Sequence, residues 1–509
     1  MKSRKIFGCF IFGLVILCMG AFPAFAAKDS ITYAIDSKFA SMERYSSTQT
    51  FANNLWMMIG DGVVRRNHKT LEHEPALAES WKQIDDVTWE FKLRKGVKFH
   101  NGNELTSEAI RYTIMDLVLS PEYKNPSKGY LKWIKEIKIL DKYTFQIISD
   151  GPYPMVLDRM CWFTPYDPAY VKEKGLTYIQ EHPVGTGPYR FVKWERGSRL
   201  EIVKNKDHWE PNVGHVEKII FRIIPELSTR VAELRSGGVD LIVNVDPDKV
   251  GQVEVDKKLK VISGPIARTI FYQFDSFGRA SKTPVMDKRV RQAIWHAIDR
   301  EGIVKNLLNG YGKVTNAACN PYLFGYVDDI KGYPYDPEKA KALLKEAGYE
   351  KGFDLDIWQY YQVQNLFNQA AMDMLSQVGI KVKLHDYRGN IGQLLKVRNT
   401  GKVTGIGNFG WGTSFAFDAD AILPAWFFKS ESKCYAPDDK IDAWLHEARV
   451  STDKKRRLEL YRMAQQRIVD EVYWMPLFYK YQINGAHKDL DVKVMPYEYV
   501  LLQYAKWLK

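Results

Sequence analysis

The chain changes texture near its middle with no tether between the halves, and this restricts its fold more than any other feature of its 509 residues. The first half reads as short strands with few helices. "SITYAID" alternates as a strand, "TWEFKLR" is a strand closed by the turn "HNGN", and Thr106 is placed to cap a helix with Glu108 in its first turn. "LKWIKEIKILDKYTFQIIS" reads as two strands joined at Asp141-Lys142, and "YRFVKWERGSRLEIVKN" as a hairpin turning at "ERGS". From about Asp287 helices alternate with strands. "DKRVRQAIWHAI" sets Val290, Ile294, Ala297 and Ile298 on one face, and Asp299 is placed to cap the next helix. "YDPEKAKALLKEAGY" carries Asp336 as N-cap, Pro337 at the first helical position and Gly348 at the end. "FDLDIWQY", "KVKLHDY" and "GIGNFGW" are strands, and "TDKKRRLELYRMAQQRIVDEV" is an amphipathic helix. No internal repeat or low-complexity linker is present. A chain this long exceeds what one core organises, so the pattern predicts α/β lobes joined by several short crossings.

Residues 1–26 read as a cleaved secretory leader: Lys2, Arg4 and Lys5, the apolar run Ile6–Met19, then Ala24-Phe25-Ala26. The run is too short for a membrane span. Cys18 follows Leu17, and Cys9 lies too early in the run, so no lipid anchor is expected. The expected location is the periplasm. The formal charge of +12 falls to +9 when the three leader cations are removed. The remaining basic residues are dispersed among acidic ones, as in "DKKRRLE", rather than gathered into a patch for nucleic acid. Cys161, Cys319 and Cys434 outlast the leader without CxxC spacing, allowing at most one disulfide and suggesting neither zinc nor a redox pair.

Enzyme signatures are lacking: there is no HExxH, GxSxG or phosphate loop. Paired catalytic carboxylates leave no sequence spacing, so an exported hydrolase stays open as a rival. His68 and His73 are close in sequence but have no third ligand beside them, and no cofactor is expected.

The stretches "PALAESWKQIDDVTWEFKLRKGVKFHNGNELTSEAI", "GTGPYRFVKWERGSRLEIVKNKDHW", "DKRVRQAIWHAIDREGIVKNLLNGYG", "YDPEKAKALLKEAGY" and "ELYRMAQQRIVDEVYWMPL" occur in that order. Together with a Gly-Trp strand end they resemble family 5 of the extracellular solute-binding proteins, the dipeptide/oligopeptide-binding group that serves ABC importers. The resemblance implies a two-lobed, type II periplasmic binding protein that performs no chemistry and works as a monomer, handing its solute to the permease's transmembrane subunits. Lobe I would comprise residues 27–265 and 486–509, with a subdomain inserted at about 53–180. Lobe II would comprise residues 266–485, with crossings near Gly264–Thr269 and Tyr481–Gly485. The implied solute is a peptide or peptide-like molecule, such as an oligopeptide or a glutathione-like or opine-like compound. The alternatives are a sugar, a nickel complex or haem.

In peptide-binding members of the family an aspartate three residues past the strand-end Trp pairs with the peptide's α-ammonium. That position here is Ser414, which can accept a hydrogen bond but cannot neutralise charge. Trp411 is expected to offer its ring to the solute, with Gly410, Gly412, Thr413 and Ser414 around it. Asp418 or Asp420 could supply the missing charge, although Asp420 also suits the N-cap of "AILPAWFF". Dipeptide binders carry an arginine after the strand matching "DLDIWQY", whereas "WQYYQVQNLFNQ" has none and offers Tyr360 among other aromatic and amide side chains. Arg268 and Arg388 are the candidate carboxylate clamps. By analogy, the turn containing Ser37 and Phe39 and the strand containing Phe271 and Tyr272 should also face the solute. The glycines of "GTGPY" are expected to be architectural.

Overall fold

The computed structural model describes residues 28–47, 49–412 and 416–508. The leader lies outside the described residues, as do Thr413 and Ser414. A single mixed sheet runs through the molecule. From one edge its strands are Ile380–Asp386, Phe353–Gln359, Ile406–Gly412, Leu259–Phe274, Trp474–His487, Leu241–Ile242, Ser30–Ile35, Lys218–Ile223, Arg199–Lys204 and Tyr189–Glu195. Gly312–Val314 adds to Trp474–His487 off this path. A separate antiparallel sheet of four strands, Ala78–Gln83, Thr88–Leu93, Thr144–Ser149 and Ile134–Asp141, belongs to the first half.

The two long central strands are antiparallel and change neighbours along their length. Residues 259–265 pair with 481–487, beside Leu241–Ile242. Residues 269–273 pair with 474–479, between Ile406–Gly412 and Gly312–Val314. The ladder slips between Pro265 and Thr269, opposite Tyr479–Tyr481. A proline has no N–H to give to a ladder, and a slip of this kind bends and twists the strand. Hydrophobic cores lie to either side of the slip. One core joins Ser30–Ile35, the four-stranded sheet and the C-terminal residues Leu490, Val500, Leu502 and Ala505. Two others sandwich the 269–274 segment, with Ile270, Tyr272 and Phe274 on one face and Phe271 on the other.

Local signals set the element ends. Asp299 accepts from Gly302 N at 2.8 Å, and Asp336 accepts from Lys339 N at 2.9 Å. Gly348 takes φ +85° just past its helix, where a side chain would be strained. Thr106 occupies the N-cap position of Ser107–Arg111, but its side chain makes no capping bond. In "GTGPY", a Cβ on Gly185 or Gly187 would sit 2.2 Å from Ile59 O or 2.5 Å from Met58 O, so these glycines allow two backbones to touch. Cys161, Cys319 and Cys434 are all free thiols. Among the described residues no helix is long and apolar enough to cross a membrane.

Candidate functional site

A cleft of about 1290 Å³ opens where the central strands slip past each other. Its floor is made by Ile266 and Arg268 on one strand and Lys480–Ile483 on the other. One wall carries Asp36, Ser37, Lys38, Arg230 and residues 243–247. The facing wall carries Tyr360, Tyr361, Arg388, Arg398 and Gly410–Gly412. Of the residues singled out from sequence, the fold therefore gathers Ser37, Arg268, Tyr360, Arg388, Gly410, Trp411 and Gly412 at one cavity.

Trp411 is half-buried at the end of strand Ile406–Gly412. Its Nε1 donates to Ala421 O at 3.0 Å, its ring meets Trp426 edge-on at 5.5 Å, and the Lys433 ammonium lies 5.2 Å from the ring centre. Its flanking glycines make room for neighbours. A Cβ on Gly410 would come within 2.6 Å of Ile270 Cδ1, and one on Gly412 within 2.5 Å of Glu498 Oε1.

Glu498 holds Arg268 in a bidentate pair, with Nε to Oε1 at 2.7 Å and Nη2 to Oε2 at 2.9 Å. Arg268 Nη1 also donates to Tyr361 Oη at 3.1 Å and Gly410 O at 3.2 Å. Burial works against the Arg268 charge, but the Glu498 carboxylate outweighs it and holds the guanidinium pKa above its ordinary value. Arg268 thus lines the cleft as half of an ion pair, not as a free clamp. Arg388 is exposed at the rim, where its Nε donates to Asp386 at 2.7 Å. Tyr360 is buried, and its hydroxyl donates to Gly410 O at 3.2 Å.

Three expectations are corrected. Phe271 is fully buried and stacks on Trp474 with centroids 3.6 Å apart. Tyr272 is fully buried on the other face and donates to Asn368 Oδ1 at 2.5 Å. Phe39 turns inward onto Phe221 while its neighbours Ser37 and Lys38 line the cleft. The cause is common to the first two: a central strand covered on both faces sends alternate side chains into two cores, leaving neither face to a solute. Asp418 and Asp420 also have structural partners. Asp418 pairs with Arg457 at 2.8 Å and caps the turn at Ala419–Ala421, while Asp420 pairs with Arg449 at 2.9 Å and leaves the N-cap of the following helix, Leu423–Phe427, to Ile422.

The sequence reading missed Arg398, Lys480, Asp246 and Glu498. Arg398 is only 3% exposed, yet among the described residues it has no carboxylate partner. Its Nε and Nη2 share Asn399 Oδ1 at 3.1 and 3.0 Å, and its guanidinium faces the rings of Trp426 (4.9 Å) and Phe409 (5.4 Å). Burial pulls its pKa below the usual arginine value, partly offset by Tyr360 and Tyr435. Its position four residues after Leu394, on the buried face of helix Ile391–Asn399, was the available signal. Lys480 ends the largely apolar run Trp474–Tyr479 of its strand, which is also a readable departure. Glu498 has φ +69°, a conformation that does not show in the sequence. Among the described residues no group of three His, Cys, Asp or Glu could hold a metal, and the cleft walls carry neither His nor Cys.

A model of the family described as bacterial extracellular solute-binding proteins, family 5 Middle, matches residues 72–434. The glutathione-binding protein GsiB of Shigella dysenteriae serotype 1 (strain Sd197) is 26% identical over 493 residues, covering 94% of both chains. Heme-binding protein A of Haemophilus influenzae (strain ATCC 51907 / DSM 11121 / KW20 / Rd) is 29% identical over 436 residues, covering 79% of this chain and 78% of that one. The solved structure of the ABC transporter-associated periplasmic binding protein DppA from Helicobacter pylori, in complex with peptide STSA, superposes with a TM-score of 0.80 at 25% identity. That match covers 95% of this chain and 99% of the other. The chain therefore belongs to the family 5 bacterial extracellular solute-binding proteins, which serve ABC importers as binding components and are not enzymes.

Proposed function

We propose that the chain captures a peptide-like solute, such as an oligopeptide or a glutathione-like or opine-like compound, by closing two lobes over the cleft. It then presents the solute to the permease's transmembrane subunits as a monomer in the periplasm, after loss of residues 1–26. Lobe I is residues 27–265 and 486–509 with the insertion at about 53–180, and lobe II is residues 266–485. The observation that carries this reading is the position of the cleft: it straddles the slip in the central ladder and takes its walls from both sides. A solute touching both walls binds the closed form better than the open one, and that difference is what shifts the equilibrium. Trp411 and Tyr361 supply flat apolar faces. Arg398 is a buried cation suited to a carboxylate, in place of the arginine absent from "WQYYQVQ". The glutathione-binding and peptide-bound relatives point to the same solute class.

Native mass spectrometry of the purified protein should reveal a co-purified small molecule. A thermal-shift panel of peptides, glutathione, opines, sugars and haem should then show the largest rise with a peptide-like member, because a solute binding only the folded state stabilises it. A sugar or haem giving the largest rise would overturn the solute assignment.

A further inference from the structure

Two sets of charges face each other across the floor of the cleft, and neither is neutral. Lys480 rises from the crossing strand beside the Tyr361 ring, 5.3 Å from its centre. Among the described residues its ammonium has no hydrogen bond or ion pair. Burial pulls its pKa down and Arg268 adds to the effect, against the attraction of Glu498, Asp36 and Asp246. Glu498 is already committed to Arg268 through both oxygens. This side of the floor therefore keeps one positive charge in excess.

The opposite side is acidic. Asp246 is half-buried, and among the described residues its carboxylate accepts no hydrogen bond and pairs with no cation. Burial, with Asp248 nearby, raises its pKa. Asp36 is held by Ser37 Oγ at 2.9 Å and Asn244 Nδ2 at 2.8 Å, both neutral groups. Arg230, the cation behind them, is spent on backbone carbonyls: Ile224 O at 2.8 Å, Pro225 O at 2.6 Å and Asn244 O at 3.4 Å. With Glu226 and Lys38, which line the same wall, three carboxylates stand against two cations, and one negative charge is left over here. Lys480 feels both carboxylates but closes an ion pair with neither, and all three residues line the one cleft, so the gap between them separates opposite charges that lack an ionic partner. A partly buried charge without a partner is costly, and a group supplying both complements at once removes both costs.

We propose that this gap holds an α-amino-acid head group, with ammonium and carboxylate on one carbon. The carboxylate lies on Lys480, and the ammonium lies on Asp246 with Asp36 beside it. The proposal rests on the peptide-like reading above and narrows it to solutes carrying such a head, as a γ-linked glutamyl peptide does. An ordinary peptide carries its ammonium and terminal carboxylate on different residues and cannot fill the gap alone. The floor thereby takes over the recognition of an ammonium that Ser414 cannot neutralise.

The test is calorimetry on the intact protein with three probes: γ-Glu-Ala-Gly, its α-linked isomer Glu-Ala-Gly, and N-acetyl-γ-Glu-Ala-Gly. The γ-linked peptide should bind at least roughly tenfold tighter than the other two, the scale of one lost charge-assisted hydrogen bond. Lys480→Gln and Asp246→Asn should each erase most of that preference. Because the probe comparison uses the unaltered protein, a variant that folds poorly does not obscure it. Equal affinity for the two isomers, or undiminished binding after acetylation, overturns the head-group site and leaves the peptide-like reading standing. Binding of none of the three overturns both.

Discussion

Trp411 illustrates how a single side chain is presented in this cleft. Its indole N–H is satisfied by Ala421 O and one edge is braced by Trp426, so the ring is held in place before any solute arrives. Such pre-ordered aromatic anchors lose little entropy on binding. Trp411→Ala should weaken solute binding by roughly 1–3 kcal/mol with little change in melting temperature. Calorimetry with the best solute from the screen checks this, and an unchanged affinity would remove Trp411 from the site. Phe271, next to Gly410's partner Ile270 and stacked on Trp474, has the opposite character. Phe271→Ala should destabilise the fold by about 3–5 kcal/mol in urea, as large core truncations do. Phe271→Leu should leave solute affinity unchanged, and a large affinity loss there would return Phe271 to the cleft. His100 adds a pH signature. Burial holds its ring pKa at about 4, down from 6.5, against the Gly187 carbonyl that favours the charged form. The fold thus prefers the neutral ring. Its contribution is complete above pH 6.5 and lost as pH falls toward 4, amounting to ~3 kcal/mol. His100→Gln should flatten the stability profile across that window, and an unchanged acid slope would contradict the assignment.

At the scale of elements, the strands and helices were legible because their signals are local. Period-two alternation marks Thr88–Leu93 and Thr144–Ser149, and side-chain caps at Asp299 and Asp336 are where the sequence puts them. The site was legible only in part. The Gly-Trp strand end and the turn at Ser37 line the cleft, since strand ends and turns face outward by geometry. The inward turn of Phe39, Phe271 and Tyr272 was not readable, because which face of a strand is covered depends on elements distant in sequence. The same holds for the arginines. Arg268 looked free until Glu498, 230 residues away, closed on it. The burial of Arg398 likewise comes from contacts distant in sequence, where its guanidinium meets Phe409 and Trp426.

For the whole molecule, the central pair of strands is both the floor of the cleft and the connection between its walls. The slip between Pro265 and Thr269 places a break in the ladder directly at the floor of the cleft. The C-terminal segment ties in through Arg268–Glu498, and the two halves of the chain also meet where Phe417 N donates to Asp158 Oδ1 at 3.2 Å. Solute contacts on both walls would therefore be read out as a change in overall dimensions. Small-angle scattering with and without the most stabilising solute measures this most directly. Closure about the central strands predicts a smaller radius of gyration at saturation, and an unchanged radius despite saturated binding would contradict it.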